Sequence, residues 1–232
     1  MLEFKQNIRG NVALGVNPLG CKQEVLNEID YVKNKGTFAG PKKVLIIGAS
    51  SSYGLATRIS LAFGAGADTI GVSFEKGPKN ERNLGTAGWY NNIAFREAAE
   101  KEDLIAKNFV QDAFSHESKQ EVIAYIKNEF GGKVDLVVYS LASGRRTDPD
   151  TGETYTSAIK SLGEPVVGLK INMQNHAFYM ATLVPANDQE ITATLNVKAG
   201  DDWQLWRAAM HEEDELADGD LTTTYPNFET EL

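Results

Sequence analysis

Lys43-Val44-Leu45-Ile46-Ile47-Gly48-Ala49-Ser50-Ser51-Ser52-Tyr53-Gly54-Leu55-Ala56 reads as an aliphatic strand, a turn of small residues and the start of a helix. The apolar run suits a strand buried on both faces. Gly48 permits a tight turn, the three serines offer hydroxyl and N–H groups, and Gly54 lets the helix pack closely on the strand. The positive end of the helix dipole then favours an anion at the turn. No Gly-Lys-Ser/Thr is present, which excludes a P-loop, and Ser50 stands where the G-x-G-x-x-G pattern has its middle glycine. Taken alone, the segment is a weak motif and reads more simply as an ordinary tight βα connection.

Working outward, the same rhythm repeats. Apolar runs at 68–74, 105–110 and 134–139 alternate with helical patterns at 53–63, 87–101 and 117–130. Such alternation predicts right-handed βαβ crossovers and an α/β fold with a doubly wound, mostly parallel sheet. Glu75 follows the second run, 21 positions beyond Gly54, where a carboxylate meets the ribose hydroxyls of a dinucleotide and repels a 2′-phosphate; a solvated strand end is the weaker alternative. Asp112-Ala113 and Ser140-Leu141 follow the third and fourth runs and are expected on the same carboxyl edge, with helix capping and strand termination as the plain alternatives.

The flanks differ from this centre. Residues 1–42 contain one helical pattern, 22–35, read as an arm packed on the sheet. After 142 the pattern loosens: 148–153 is turn chemistry, 166–184 is β-prone without clear periodicity, and 188–197 and 201–217 read as helices. In the last of these Asp201 or Asp202 is a plausible cap, and Trp203, Trp206 and Met210 form a core stripe. The division expected is an arm (1–42), a dinucleotide-binding core (43–165) and a substrate-side region (166–232).

Composition bounds the function. A chain of 232 residues with net charge −9 makes non-specific binding to nucleic acid a poor expectation. No apolar stretch reaches the ~20 residues of a membrane span. The charged Met-Leu-Glu-Phe-Lys-Gln start and the single Cys21 point to the cytoplasm. His116, His176 and His211 lie far apart, and Gly152 comes one place too early for an EF-hand among Asp148, Asp150 and Glu153, so no metal is expected. Arg145-Arg146 either approaches a phosphate or anchors its loop.

The strings Gly-Pro-Lys-Lys-Val-Leu-Ile-Ile-Gly-Ala-Ser (40–50), Ser-Phe-Glu-Lys (73–76), Gly-Thr-Ala-Gly-Trp-Tyr-Asn (85–91), Gln-Asp-Ala-Phe-Ser (111–115) and Val-Asp-Leu-Val-Val-Tyr-Ser-Leu-Ala-Ser (134–143) resemble those of the FabV-type trans-2-enoyl-CoA/ACP reductases. The resemblance implies a modified Rossmann fold related to short-chain dehydrogenases. It also implies NADH as cofactor and reduction of the 2,3 double bond of enoyl-CoA or enoyl-ACP in fatty acid synthesis. Cofactor contacts are implied at Gly48, Ala49, Ser50, Ser51, Ser52, Tyr53, Phe74, Glu75, Asp112, Ala113, Ser140 and Leu141, and a substrate contact at Tyr225.

The family's catalytic Tyr-x8-Lys, expected downstream of the segment matching 221–225, has no counterpart here: no tyrosine in residues 1–232 has a lysine nine positions later. Tyr31-Val32-Lys33-Asn34-Lys35 matches a shorter Tyr-x3-Lys pattern, but it precedes the first strand of the core. The chain therefore reads as the cofactor-binding portion of such a reductase. A non-catalytic NAD(H)-binding module, or a short-chain dehydrogenase using Tyr139 or Tyr155 as its acid, are the other readings.

Overall fold

In the computed structural model, which describes residues 7–9, 12–80, 83–141, 143–198, 200–212 and 221–223, the aliphatic run at the start of the core is the middle strand of a five-stranded sheet. The chain begins with a small hairpin, β1 (Asn7–Arg9) and β2 (Val12–Leu14), then α1 (Pro18–Lys35). The core follows as β3 (Lys43–Ile47), α2 (Ser52–Ala65), β4 (Asp68–Ser73), α3 (Ala87–Glu100), β5 (Ala106–Val110), α4 (His116–Glu129) and β6 (Leu136–Tyr139). Two antiparallel pairs come next, β7 (Arg145–Thr147) with β8 (Thr154–Thr156) and β9 (Val166–Ile171) with β10 (Phe178–Leu183). The chain continues with α5 (Asp188–Lys198), α6 (Asp201–Glu212) and β11 (Leu221–Thr223).

The large sheet runs β11-β6-β3-β4-β5 with every pairing parallel. The chain winds outward from β3 to β4 and β5, then returns to lay β6 on the other side of β3. The switch between β3 and β6 opens the crevice in which open α/β sheets place their ligands. Side chains alternate between two buried layers. Val44, Ile46 and Val138 meet Leu61 of α2, whereas Leu45, Ile47, Ile70, Val72 and Val137 meet Val122, Ile123 and Ile126 of α4 and Trp206 and Met210 of α6. Both faces are covered, as the continuous apolar runs require.

Arg58, fully buried on α2, ties that helix to the sheet. Its guanidinium donates to Thr69 Oγ1 (3.0 Å), Asn108 Oδ1 (2.6 Å) and the Lys107 carbonyl (2.9 Å), and burial pushes its pKa down to about 9. The amino-terminal arm packs chiefly on helices: Val25 and Ile29 of α1 join Leu55, Ile59, Ala94 and Phe95 of α2 and α3. The arm thus packs against α2 and α3, where the sequence reading expects it to lie on the sheet. The 166–184 region is the β9–β10 hairpin, whose side chains are mostly exposed on both of its faces. With no buried face there is nothing to impose alternation, and its sequence shows none. Among the described residues, no helix is long and apolar enough to cross a membrane.

Candidate functional site

The turn after β3 is held down by its neighbours. Gly48 and Ala49 donate their N–H groups to the Val72 carbonyl of β4 (2.8 and 3.1 Å), and Ser140 N–H reaches the Ile47 carbonyl (2.7 Å). Gly48 has φ +87°, and a Cβ there would lie 2.4 Å from the Ser140 carbonyl oxygen; a Cβ on Gly54 would lie 2.0 Å from the Gly48 carbonyl oxygen. Any side chain at either position would push the turn out of the crevice. Ser52, a non-glycine residue, also takes a positive φ of +50°.

The N–H groups of Gly48 and Ala49 are therefore spent on β4. What remains for an anion is the first turn of α2. Its first helical bond runs from Leu55 N–H to the Ser51 carbonyl at 3.2 Å, so the preceding N–H groups have no partner within the helix. Ser51, the N-cap, is extended and its side chain makes no capping bond. By contrast, Asn17 caps α1 through Gly20 N–H, and Ser115 caps α4 through Ser118 N–H. Ser51, Ser52 and Tyr53 are exposed, Tyr53 at 67%, whereas Ala49 and Ser50 are buried. An uncapped helix start with exposed small residues at a sheet's carboxyl edge is the geometry that receives a phosphate.

Glu75 stands just beyond β4, half-buried and bonded on both carboxylate oxygens. Oε1 accepts the Ser50 hydroxyl at 2.5 Å and Oε2 accepts the hydroxyl of Thr86, the N-cap of α3. It is thus joined to the glycine-rich turn and is no free strand end. Phe74 beside it is 67% exposed. On the next loop Asp112 Oδ1 accepts Phe114 N–H (3.0 Å), and Ser115, not Asp112, caps α4. Ala113 is buried, and Ser140 and Leu141 are half-buried at the end of β6. The predicted residues from 48 to 141 thus come from the carboxyl ends of β3, β4, β5 and β6, consecutive members of one sheet edge. Tyr225 lies outside the described residues.

Sequence reasoning missed a buried ionic group behind this edge. Lys119 Nζ donates to Asp202 Oδ1 (2.8 Å) and to the Ala113 and Phe114 carbonyls (3.1 and 3.0 Å), while Asp202 Oδ2 accepts the Tyr139 hydroxyl (2.9 Å). Trp206 Nε1 also donates to the Ala113 carbonyl (3.1 Å). Burial pushes Lys119 down and Asp202 up, each opposed by the other's charge. Burial, with the Asp202 carboxylate beside it, holds the Tyr139 phenol well above the usual tyrosine range. Asp202 is therefore an internal counter-ion and no surface cap. The only sequence sign of it is an Asp beside the Trp203-Trp206-Met210 stripe.

Arg146 anchors its strand. Its side chain is 3% exposed and donates to the Asn196 carbonyl (2.9 Å) between Asp148 (3.8 Å) and Asp201 (3.7 Å). Tyr155, on β8, donates to Glu153 Oε2 (2.9 Å), and that bond raises its pKa. Among the described residues, no group of three or more His, Cys, Asp or Glu is placed to hold a metal ion.

Residues 3–80 match the NAD(P)H binding domain of trans-2-enoyl-CoA reductase, and residues 83–231 match the trans-2-enoyl-CoA reductase catalytic region. The chain is 55% identical to the trans-2-enoyl-CoA reductase [NADH] of Clostridium beijerinckii, over 96% of this chain and 56% of that protein. It is 52% identical to the enoyl-[acyl-carrier-protein] reductase [NADH] 2 of Photobacterium profundum, over 94% of this chain and 55% of that one. The crystal structure of the Clostridium acetobutylicum trans-2-enoyl-CoA reductase in complex with NADH superposes with a TM-score of 0.89 at 48% identity, covering 96% of this chain and 56% of that one. The Treponema denticola trans-2-enoyl-CoA reductase in complex with NAD gives 0.86 at 42% identity, covering 97% and 58%. The chain spans about half the length of the curated relatives it matches. On the two family matches, which together reach from residue 3 to residue 231, this chain belongs to the trans-2-enoyl-CoA reductase family.

Proposed function

We propose that residues 1–232 carry the NADH-binding half of a cytoplasmic reductase that saturates the 2,3 double bond of enoyl thioesters, borne on CoA or on acyl carrier protein, in fatty acid synthesis. The observation that carries this reading is the uncapped, exposed start of α2 beside a half-buried carboxylate at the switch point of a parallel sheet. The α2 N-terminus, from Ser50 to Tyr53, would take the pyrophosphate. Gly48 and Ala49 would shape the floor beneath it, since their N–H groups are already engaged.

Phe74 and Glu75 would face the adenosine ribose, where a carboxylate accepts the 2′-hydroxyl and repels a 2′-phosphate. Asp112 and Ala113 would flank the adenine end, and Ser140 and Leu141 the inner wall of the crevice. In this reading 43–165 is the dinucleotide core, 1–42 a supporting arm and 166–232 the substrate side, with Tyr225 as a substrate contact.

The bound dinucleotide would supply the hydride. This chain's own groups bind and orient it, and among the described residues neither Tyr139 nor Tyr155 suits the proton step. The Tyr139 hydroxyl is committed to the buried Asp202 carboxylate, and Tyr155 is bonded to Glu153 on the β7–β8 hairpin. Titration of the 232-residue chain with NADH, followed by cofactor fluorescence, tests the reading. Saturable binding with one site is expected; no saturable binding would overturn it.

A further inference from the structure

The segment Gly85-Thr86-Ala87-Gly88-Trp89-Tyr90-Asn91 reaches both the Glu75 side chain, through Thr86, and the Ser50 backbone carbonyl, through Asn91. The Thr86 hydroxyl donates to Glu75 Oε2, and its oxygen accepts the Lys76 N–H at 3.1 Å. Thr86 N–H returns to the Lys76 carbonyl at 2.9 Å, so the residue after Glu75 is clasped on both its backbone groups. Asn91 Nδ2 donates to the Ser50 carbonyl at 3.0 Å, and the Tyr90 hydroxyl closes the preceding loop on the Leu84 carbonyl at 2.6 Å.

Gly88 leaves the space into which the carboxylate fits. A Cβ there would stand 2.1 Å from Glu75 Oε1 and 2.8 Å from Ser50 Cβ. The N-cap of α3 makes no side-chain capping bond of its own; the hydroxyl that would cap is turned to Glu75, and the carboxylate sits against the first turn instead. A carboxylate in that position faces the positive end of the α3 dipole.

We propose that Thr86 and Gly88 are positioning residues for cofactor discrimination: the start of α3 holds the Glu75 carboxylate where it meets the ribose 2′ position. The proposal rests on the reading of Glu75 as the ribose-facing group. Repulsion between a carboxylate and a 2′-phosphate falls with distance and solvent access, so a carboxylate released from Thr86, or displaced by a methyl at Gly88, discriminates less while keeping its charge.

The experiment measures dissociation constants for NADH and NADPH by calorimetry, on the 232-residue chain and on Glu75→Gln, Thr86→Val, Thr86→Ser and Gly88→Ala. The wild-type chain prefers NADH, and Glu75→Gln narrows that preference about tenfold or more. Thr86→Val and Gly88→Ala narrow it in the same direction by a smaller factor, with NADPH gaining relative to NADH, and Thr86→Ser restores it. A merely structural role would weaken both cofactors together and leave their ratio unchanged. If Glu75→Gln narrows the ratio while both Thr86→Val and Gly88→Ala keep the wild-type value, the proposal is overturned and the reading of Glu75 stands. Should the wild-type chain bind both cofactors equally, the reading and the proposal fall together. Where Gly88→Ala fails to fold, the two Thr86 variants decide alone.

Discussion

At Ser51 two demands compete for one position. An N-cap stabilises its helix best with Asn, Asp or Ser accepting an N–H bond, yet Ser51 leaves the first turn of α2 uncapped. The proposed phosphate site would explain the choice, because a ligand oxygen would replace the missing cap. Ser51→Asp should therefore leave the free chain as stable or up to about 1 kcal/mol more stable, by thermal unfolding, while weakening NADH at least about tenfold through charge repulsion. Unchanged affinity in that variant would remove the pyrophosphate from this turn. Ser51 is a better probe than the neighbouring Ser50, which is buried and hydrogen-bonded to Glu75, so that a carboxylate there would meet another carboxylate even without cofactor. At this scale the sequence spoke clearly where backbone geometry is demanding, as at Gly48 and Gly54. It was silent at Thr86 and Gly88, whose role depends on a contact with Glu75, 11 and 13 positions away in the chain.

Among the elements, α6 does more than complete a layer. Its Asp202 compensates Lys119 of α4, and Lys119 in turn holds the Ala113 and Phe114 carbonyls of the loop that follows β5. Both side chains are nearly inaccessible, at 4% and 3% exposure. Removing one partner leaves a buried charge alone, so Lys119→Met should cost about 3–5 kcal/mol in urea unfolding. The double variant Lys119→Met/Asp202→Leu should regain a large part of that, since two apolar side chains replace the pair. A single variant no less stable than the wild type would show that the pair carries no such weight. The apolar stripe of α6 was legible because Trp206 and Met210 recur at helical spacing. The ion pair was not, because nothing local marks an Asp at the start of a helix as buried. The β9–β10 hairpin was half legible for the related reason that a strand pair without a buried face has no alternation to read.

For the molecule as a whole, the alternation of apolar runs and helical patterns was enough to place β3 to β6 and the helices between them. β3 and β4 are buried from their second residue onward, and the helices between the strands carry apolar residues at helical spacing. Function divides differently across the chain. Residues 1–232 contain the proposed cofactor edge but no tyrosine followed nine positions later by lysine. The 232-residue chain mixed with NADH and crotonyl-CoA should therefore oxidise NADH at least about a hundredfold more slowly than the ~10 s⁻¹ of a typical enzyme. Turnover near that rate would place the proton donor within these residues. The central claim, that a dinucleotide sits on the α2 N-terminus with Glu75 at its ribose, is tested most directly by calorimetric titration of the 232-residue chain with NADH and with NADPH. The account predicts one site that takes NADH at least about tenfold more tightly than NADPH; equal affinity for the two, or no binding of either, would contradict it.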